Sequence, residues 1–401
     1  MTELIELETA LGIILRETPL IGMENVPLQN AVQRICAEEV VSDIDIPPFD
    51  TSAMDGYAVR HEDVTGTPVK LKVIESIQAG YMPKKSVCSG ECSAIMTGAP
   101  LPEGADTVIM VEHTEKLSGS HILVNRSGAK SEHIRFKGEV LAGNSSILSR
   151  GTMVSNRHIP LLAAAGKTVL SVFALPHVTI ISTGDELVEP HLTPKHGQIR
   201  NTNAPMLTAH LAALHIAPHY AGIAQDTEDG LMRKISLGLQ SNILIVTGGV
   251  SAGDYDLAPS ILRTLGVKQL FHKVNIQPGK PFFFGKRADT LIFGVPGNPV
   301  SSMIIFLLFI RPALLKMMGA NDVFGTVLSG RLTKDFRKKQ GRKMVYPVKI
   351  SFADLSYAVT PLDYLGSADI RAFAEADGAM ILDGNRPEWK RGEPVEFMFL
   401  C

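Results

Sequence analysis

The spacing of apolar residues changes period along this 401-residue chain. Residues 3–16 carry Leu4, Ile5, Leu7, Leu11, Ile14 and Leu15 at helical spacing, and residues 26–41 repeat it with Val26, Leu28, Ala31, Val32 and Ile35. Both stretches are expected to be helical, the second drifting into a strand-like Val40-Val41. Between 66 and 145 the period falls to two. Val69-Lys-Leu-Lys-Val alternates, Thr107-Val-Ile-Met-Val and His121-Ile-Leu-Val are short strands, and Gly/Pro turns separate them. This predicts a small β domain inserted into a larger scaffold. An apolar helix at 158–165 and the strand Thr168-Val-Leu-Ser-Val follow.

From about 175 strands and helices alternate. Strands are expected at 177–182, 220–224, 243–247, 270–276 and 290–293, with helices at 203–214, at 230–239 behind a Thr227 cap, and from Asn298 to about 318. In the last of these, Asn298 is the expected N-cap and Pro299 the first helical residue. That alternation predicts a doubly wound α/β sheet, which binds ligands at the carboxyl ends of its strands. After about 322 the chain returns to short strands, expected to form a small β barrel or sandwich.

The strand ends hold the candidate chemistry. The run Ile243-Leu-Ile-Val-Thr247 lacks alternation and reads as a strand buried on both faces. It enters Gly248, Gly249, Ser251, Gly253, Asp254 and Asp256, and a helical pattern follows. Strand, glycine turn and helix suit a phosphate held at a helix N-terminus, with an acid-bound Mg²⁺ bridging. Neither Gly-Lys-Ser/Thr nor G-x-G-x-x-G occurs there. The other expected ends carry Asp185 and Glu186, Asp226, Lys280, and Asn298. Carboxylates converging from several ends repel unless a cation sits among them. The set therefore suits a phosphate-bearing ligand with Mg²⁺ and chemistry at phosphorus. A second polar stretch, Asp45-Ile-Pro-Pro-Phe-Asp-Thr-Ser-Ala-Met-Asp-Gly-Tyr-Ala-Val-Arg60, begins with prolines that forbid regular structure.

Composition narrows the setting. With 39 Lys+Arg against 41 Asp+Glu the net charge is −2, so no global field draws nucleic acid or an acidic membrane. Four scattered cysteines fit a reducing compartment and lack the spacing of a zinc site. The polar N-terminus is unlike a signal peptide, and the apolar run Met303–Ile310 is shorter than the roughly 20 residues of a membrane span. A cytoplasmic protein is expected.

Six ordered motifs carry a resemblance over nearly the whole chain. They are Pro47-Pro-Phe-Asp-Thr-Ser-Ala-Met-Asp-Gly-Tyr-Ala-Val-Arg60, Met96-Thr-Gly-Ala-Pro-Leu-Pro-Glu-Gly-Ala-Asp106, Ser182-Thr-Gly-Asp-Glu-Leu187, Thr247-Gly-Gly-Val-Ser-Ala-Gly-Asp-Tyr-Asp256, Gln277-Pro-Gly-Lys-Pro281 and Val295-Pro-Gly-Asn-Pro-Val-Ser301. Together the chain resembles the MoeA and gephyrin E-domain family of molybdopterin molybdenumtransferases. The resemblance implies insertion of molybdenum from molybdate into adenylylated molybdopterin, with Mg²⁺ assistance and release of AMP. It implies an elongated homodimer whose site lies between the α/β domain of one subunit and the Pro-led loop of the other. Upstream it implies a molybdopterin adenylyltransferase, downstream the molybdoenzymes or their chaperones.

By the same resemblance, residues 1–45 and 140–174 form an elongated linker and dimerisation domain, 46–139 the inserted β domain, 175–321 a MogA-like molybdopterin-binding α/β domain, and 322–401 the barrel. Asp55, Glu186, Asp226, Asp254 and Lys280 take catalytic positions. Thr183, Gly184, Asp185, Gly248, Gly249, Ser251, Pro296, Asn298 and Ser367 line the pterin-phosphate pocket, and Asp254, Asp256 and Glu186 bind Mg²⁺. The chain departs from the family pattern at Val140, at Gln277 where a lysine is common, and near Pro347, where an arginine is expected and Arg342 is the nearest substitute. Those departures motivate a second reading, a molybdopterin-binding paralogue or scaffold with reduced or no insertase activity.

Overall fold

The computed structural model describes residues 4–249, 257–353 and 355–400. Among them, three six-stranded sheets carry the molecule. The first belongs to the inserted region. Its strands run in the spatial order Thr107–Met110, Gly56–Val59, Glu91–Ile95, Val69–Ile77, His121–Val124, Thr114–Leu117. The Pro-led stretch thus ends inside a sheet: Thr51–Ser52 pairs with Ile134–Arg135, and Gly56–Val59 lies between two partners. Gly56 sits where no side chain fits, since a Cβ there would overlap the Ile109 carbonyl oxygen.

The second sheet is the α/β one. Its order is His219–Ala224, Val178–Thr183, Ile243–Thr247, Thr290–Val295, Phe283–Arg287, Lys268–His272. The first four strands are parallel and the last two antiparallel. Every residue of Val178–Thr183, Ile243–Thr247 and Thr290–Val295 is buried, as central parallel strands covered on both faces require. The helices Asn203–Ala212 and Glu228–Gly238 lie near their predicted places, and the Thr227 hydroxyl accepts from the Gly230 N–H. Pro299–Ile305, the π-helical Phe306–Ile310 and Arg311–Met317 run on as one 19-residue helix, long and apolar enough to cross a membrane. Its most apolar window is 78% buried inside the protein, so it is the core helix of this domain.

The third sheet closes on itself. Lys343–Ala353 pairs with Ser356–Pro361 on one side and with Gly378–Leu382 on the other, and Val327–Leu332 and Pro394–Phe399 complete the ring. Val345, Phe373 and Ala379 of this region share one apolar core with Ile276, Val300, Ile304 and Ile305. The N-terminal helix Leu7–Glu17 is tied to the barrel by a Glu8–Lys343 ion pair.

Two expectations are corrected, and one strand lies beyond them. Residues 26–41 do not form a helix; only Leu28–Asn30 makes a 3-10 turn. Gln33 stands at φ 63°, which no α-helix tolerates, and the N–H groups of Gln33, Cys36 and Ala37 go to the carbonyls of Val154, Thr152 and Ser171. The helical spacing arose because Leu28, Ala31 and Cys36 all face a small core with Leu148, Val154 and Val172. Residues 270–276 are not one strand either. Lys268–His272 ends in the α/β sheet, and Ile276–Gln277 crosses to pair in parallel with Lys343–Met344 of the barrel. Pro278 and Pro281 lack the N–H that continued pairing would need. Finally, Phe283–Arg287 is an antiparallel strand that the apolar pattern hid, because Phe282, Phe283 and Phe284 are all buried and do not alternate.

Candidate active site

Two neighbouring features occupy the rim where the α/β sheet meets the barrel. The first is a shoulder of backbone. Val178–Thr183 and Ile243–Thr247 run side by side and end together, so Thr183 abuts the Gly248-Gly249 turn. Gly248 adopts φ +81°, and a Cβ there would lie 2.6 Å from the Thr183 carbonyl oxygen. A side chain at Gly249 would lie 2.7 Å from the Thr183 hydroxyl. That hydroxyl donates to Thr247 O at 3.2 Å. The Gly248 N–H donates to Val295 O at 3.0 Å, which brings Pro296 and Gly297 alongside. Val250 to Asp256, which include the expected Ser251, Asp254 and Asp256, lie outside the described residues.

Next to the shoulder stand the acids of two adjacent strand ends. The Asp226 N–H donates to Asp185 Oδ1 at 3.1 Å. The Glu186 carboxylate folds over Gly184, where a Cβ would meet its Oε2 at 2.5 Å. Asp185, Glu186 and Asp226 are exposed. Among the described residues no group of three or more His, Cys, Asp or Glu could hold a metal ion by itself. Asp185 and Asp226 nevertheless fit Mg²⁺, which takes one or two carboxylates and completes its shell with water and ligand phosphate.

A buried polar network fixes this loop from behind. Asn201 Nδ2 donates to Ser182 Oγ at 2.9 Å and to the Tyr220 hydroxyl at 2.8 Å, and that hydroxyl donates to Glu189 Oε1 at 2.8 Å. Burial first, and the Glu189 bond second, push the Tyr220 hydroxyl up to about 12, so it stays a neutral donor. The sequence offered no period or motif for this set, because its members are joined only by the neighbouring strands.

The second feature is a cleft of about 350 Å³ between the α/β sheet and the barrel. Gln277 to Pro281, Pro296 and Asn298 form one wall, and Arg342, Tyr364 and Ser367 belong to the other. Asn298 is the helix N-cap by position, but its side chain does not cap. It donates instead from Nδ2 to Ser367 Oγ at 2.8 Å, closing the cleft across the two domains. Arg342 is steadied by a long bond from Nη1 to Ile276 O, 3.4 Å. Lys280 and Arg342 are the cations on these walls, and no carboxylate is among the described lining residues. A half-enclosed cleft with charge of one sign concentrates anions. Lys280 follows Ile276–Gln277, the short strand that pairs with the barrel, and not a strand of the α/β sheet as expected. Pro347 is buried in the barrel wall and does not line the cleft, whereas Arg342 does.

Asp55 is placed apart from both features. It directly precedes Gly56–Val59, and its Oδ1 accepts from the Thr97 N–H at 2.7 Å and the Thr97 hydroxyl at 2.8 Å. Those bonds hold its carboxyl below the ordinary 3.8. Gly56 answers a steric need in the sheet.

Residues 5–166 match the MoeA N-terminal region (domain I and II), 179–316 the probable molybdopterin binding domain, and 329–400 the MoeA C-terminal region (domain IV). That order defines the class, a multidomain α/β protein built around a domain of the molybdopterin-binding type. A molybdopterin molybdenumtransferase of Staphylococcus aureus (strain MRSA252) is 31% identical over 98% of this chain and 95% of its own. Its counterpart in Staphylococcus epidermidis (strain ATCC 35984) is 30% identical over 98% and 94%. The crystal structure of the molybdopterin biosynthesis MoeA protein of Pyrococcus horikoshii OT3 superposes with a TM-score of 0.86, at 31% identity over 99% of this chain and 100% of that one. The chain belongs to the MoeA family of molybdopterin molybdenumtransferases.

Proposed function

We propose that this protein inserts molybdenum from molybdate into adenylylated molybdopterin, with release of AMP and with Mg²⁺ bound at the acidic strand ends. The observation that carries the reading is the cationic cleft beside the glycine shoulder. Molybdate is a dianion, and Lys280 and Arg342 offset its charge from opposite walls. The Gly248-Gly249 turn lets backbone approach the pterin phosphates without a side chain intervening. Mg²⁺ would be held by one or two of the strand-end carboxylates Asp185, Glu186 and Asp226, or by Asp254 and Asp256 of the glycine motif, with water and ligand phosphate completing its shell, and would neutralise charge on the pyrophosphate as it is cleaved. Lys280, Arg342 and Ser367 orient the oxyanion, while Thr183, Gly184, Pro296 and Asn298 frame the pterin side.

Asp55 joins this site from a partner subunit in a homodimer. Its side chain is exposed and is anchored to Thr97 of its own inserted domain, which supports its being presented outward. The second reading, a molybdopterin-binding scaffold, draws on Gln277, a neutral side chain on the cleft wall.

The test is AMP release from adenylylated molybdopterin by the purified protein, with and without molybdate and Mg²⁺. Molybdate-dependent release that fails without Mg²⁺ is expected. Tight binding of the adenylylated pterin with no AMP above background would reject the enzyme and leave the scaffold. Gln277→Lys should then restore turnover.

A further inference from the structure

Tyr364 stands in the barrel wall of the cleft, two residues before Gly366 and Ser367. Its hydroxyl is buried and has no hydrogen-bond partner. The ring is fixed by edge-on contacts with Tyr346, centroids 5.4 Å apart at 86°, and Phe373, 5.6 Å at 76°. The neighbouring Tyr346 is satisfied, donating to Leu362 O at 2.8 Å. Burial, and then the nearby Asp369, raise the Tyr364 hydroxyl well above its ordinary value, so it is a neutral donor at any physiological pH. Nothing in the aromatic packing needs the oxygen. A phenylalanine would keep both ring contacts and avoid a desolvation cost, so an orphan of this kind calls for a reason.

The reason lies in what the cleft lacks. Lys280 and Arg342 only donate, and Ser367 Oγ accepts from Asn298 and so retains its own proton to give. Donors therefore gather on these walls, and an acceptor-rich ligand is what would satisfy them. We infer that Tyr364 is a specificity-determining residue whose hydroxyl donates a hydrogen bond to a tetrahedral oxyanion seated between Lys280 and Arg342. The inference rests on the reading of the cleft as the oxyanion seat. It adds a donor from the barrel that charge alone does not supply, and a directional donor favours an oxyanion whose oxygens reach it over a smaller one of equal charge. Molybdate and tungstate should be preferred to sulfate.

The experiment is calorimetric titration of the full chain with molybdate, tungstate and sulfate, for the native protein and for Tyr364→Phe, with thermal unfolding of both. Tyr364→Phe should bind molybdate about ten-fold more weakly or worse, and lose preference over sulfate, while its unliganded melting temperature holds or rises. Equal molybdate affinity in the two proteins, with the variant merely more stable, would overturn the inference and leave the cleft's role intact. Absence of molybdate binding to the native protein would overturn the cleft reading, and the inference with it. A crystal structure of the native protein with molybdate gives a check independent of the variant's folding. The Tyr364 oxygen should lie about 2.5–3.0 Å from an oxyanion oxygen; a phenol served only by water would overturn the assignment.

Discussion

Gly56 and Asp55 are neighbours with unlike demands. A Cβ on Gly56 would overlap the Ile109 carbonyl oxygen, and backbone in a paired strand cannot yield. Gly56→Ala is therefore expected to lower stability by about 3 kcal/mol or more, read from urea unfolding, with loss of the inserted sheet. Asp55 carries a pH signature. The Thr97 N–H and hydroxyl depress its folded value below 3.8, so the stability it contributes is fully present above its unfolded value and is lost as pH falls through the depressed folded one. The stability gap between the native protein and Asp55→Ala should thus be constant at neutral pH and shrink below 3.8; a gap independent of pH would show that the carboxylate is not what Thr97 stabilises. Asp55 could be singled out as a candidate in the sequence because it sits in a dense local motif. Tyr364 was not, because what marks it is a missing partner in three dimensions.

Among the elements, the strand ends were the legible part. Ile243–Thr247 announces itself by an unbroken run of apolar and β-branched residues that stops at Gly248, as a strand buried on both faces requires of its side chains, and Val178–Thr183 and Thr290–Val295 run into Gly184 and Pro296-Gly297. The segment 273–282 was illegible for a definite reason. It changes sheets within a few residues, and apolar period reports burial without reporting which sheet provides it. The network behind the Gly184–Glu189 loop is likewise set by neighbouring strands. Tyr220→Phe should cost about 1–2 kcal/mol, since it strips Glu189 of its donor and Asn201 of an acceptor. Under the proposed function, the loosened loop should raise KM for the pterin substrate more than it lowers kcat. A change in kcat alone would mean that the network does not position the loop.

For the whole molecule, the proposed shared site makes a counting prediction. An Asp55→Asn subunit and a Lys280→Ala subunit should each form inactive homodimers. Co-assembled, they build one intact cleft per heterodimer, so activity should recover to at most about half the native value. Verified mixed dimers as inactive as their parents would mean that each cleft is completed within one chain.

The crossing of Ile276–Gln277 onto Lys343–Met344 bears on how this protein can be divided. The three matched regions look like modules that could be cut apart at their borders. Yet ending the chain near 321 would strip a β-pairing partner from Ile276–Gln277 and uncover Val300, Ile304 and Ile305, which share a core with Val345, Phe373 and Ala379. It would also leave Glu8 without Lys343. A fragment so trimmed presents a bare strand edge beside fresh apolar surface, the combination that seeds association between copies. It should aggregate where the intact chain does not. Expressed separately, the two pieces should find each other again: the barrel is less an appendage than the missing half of a wall.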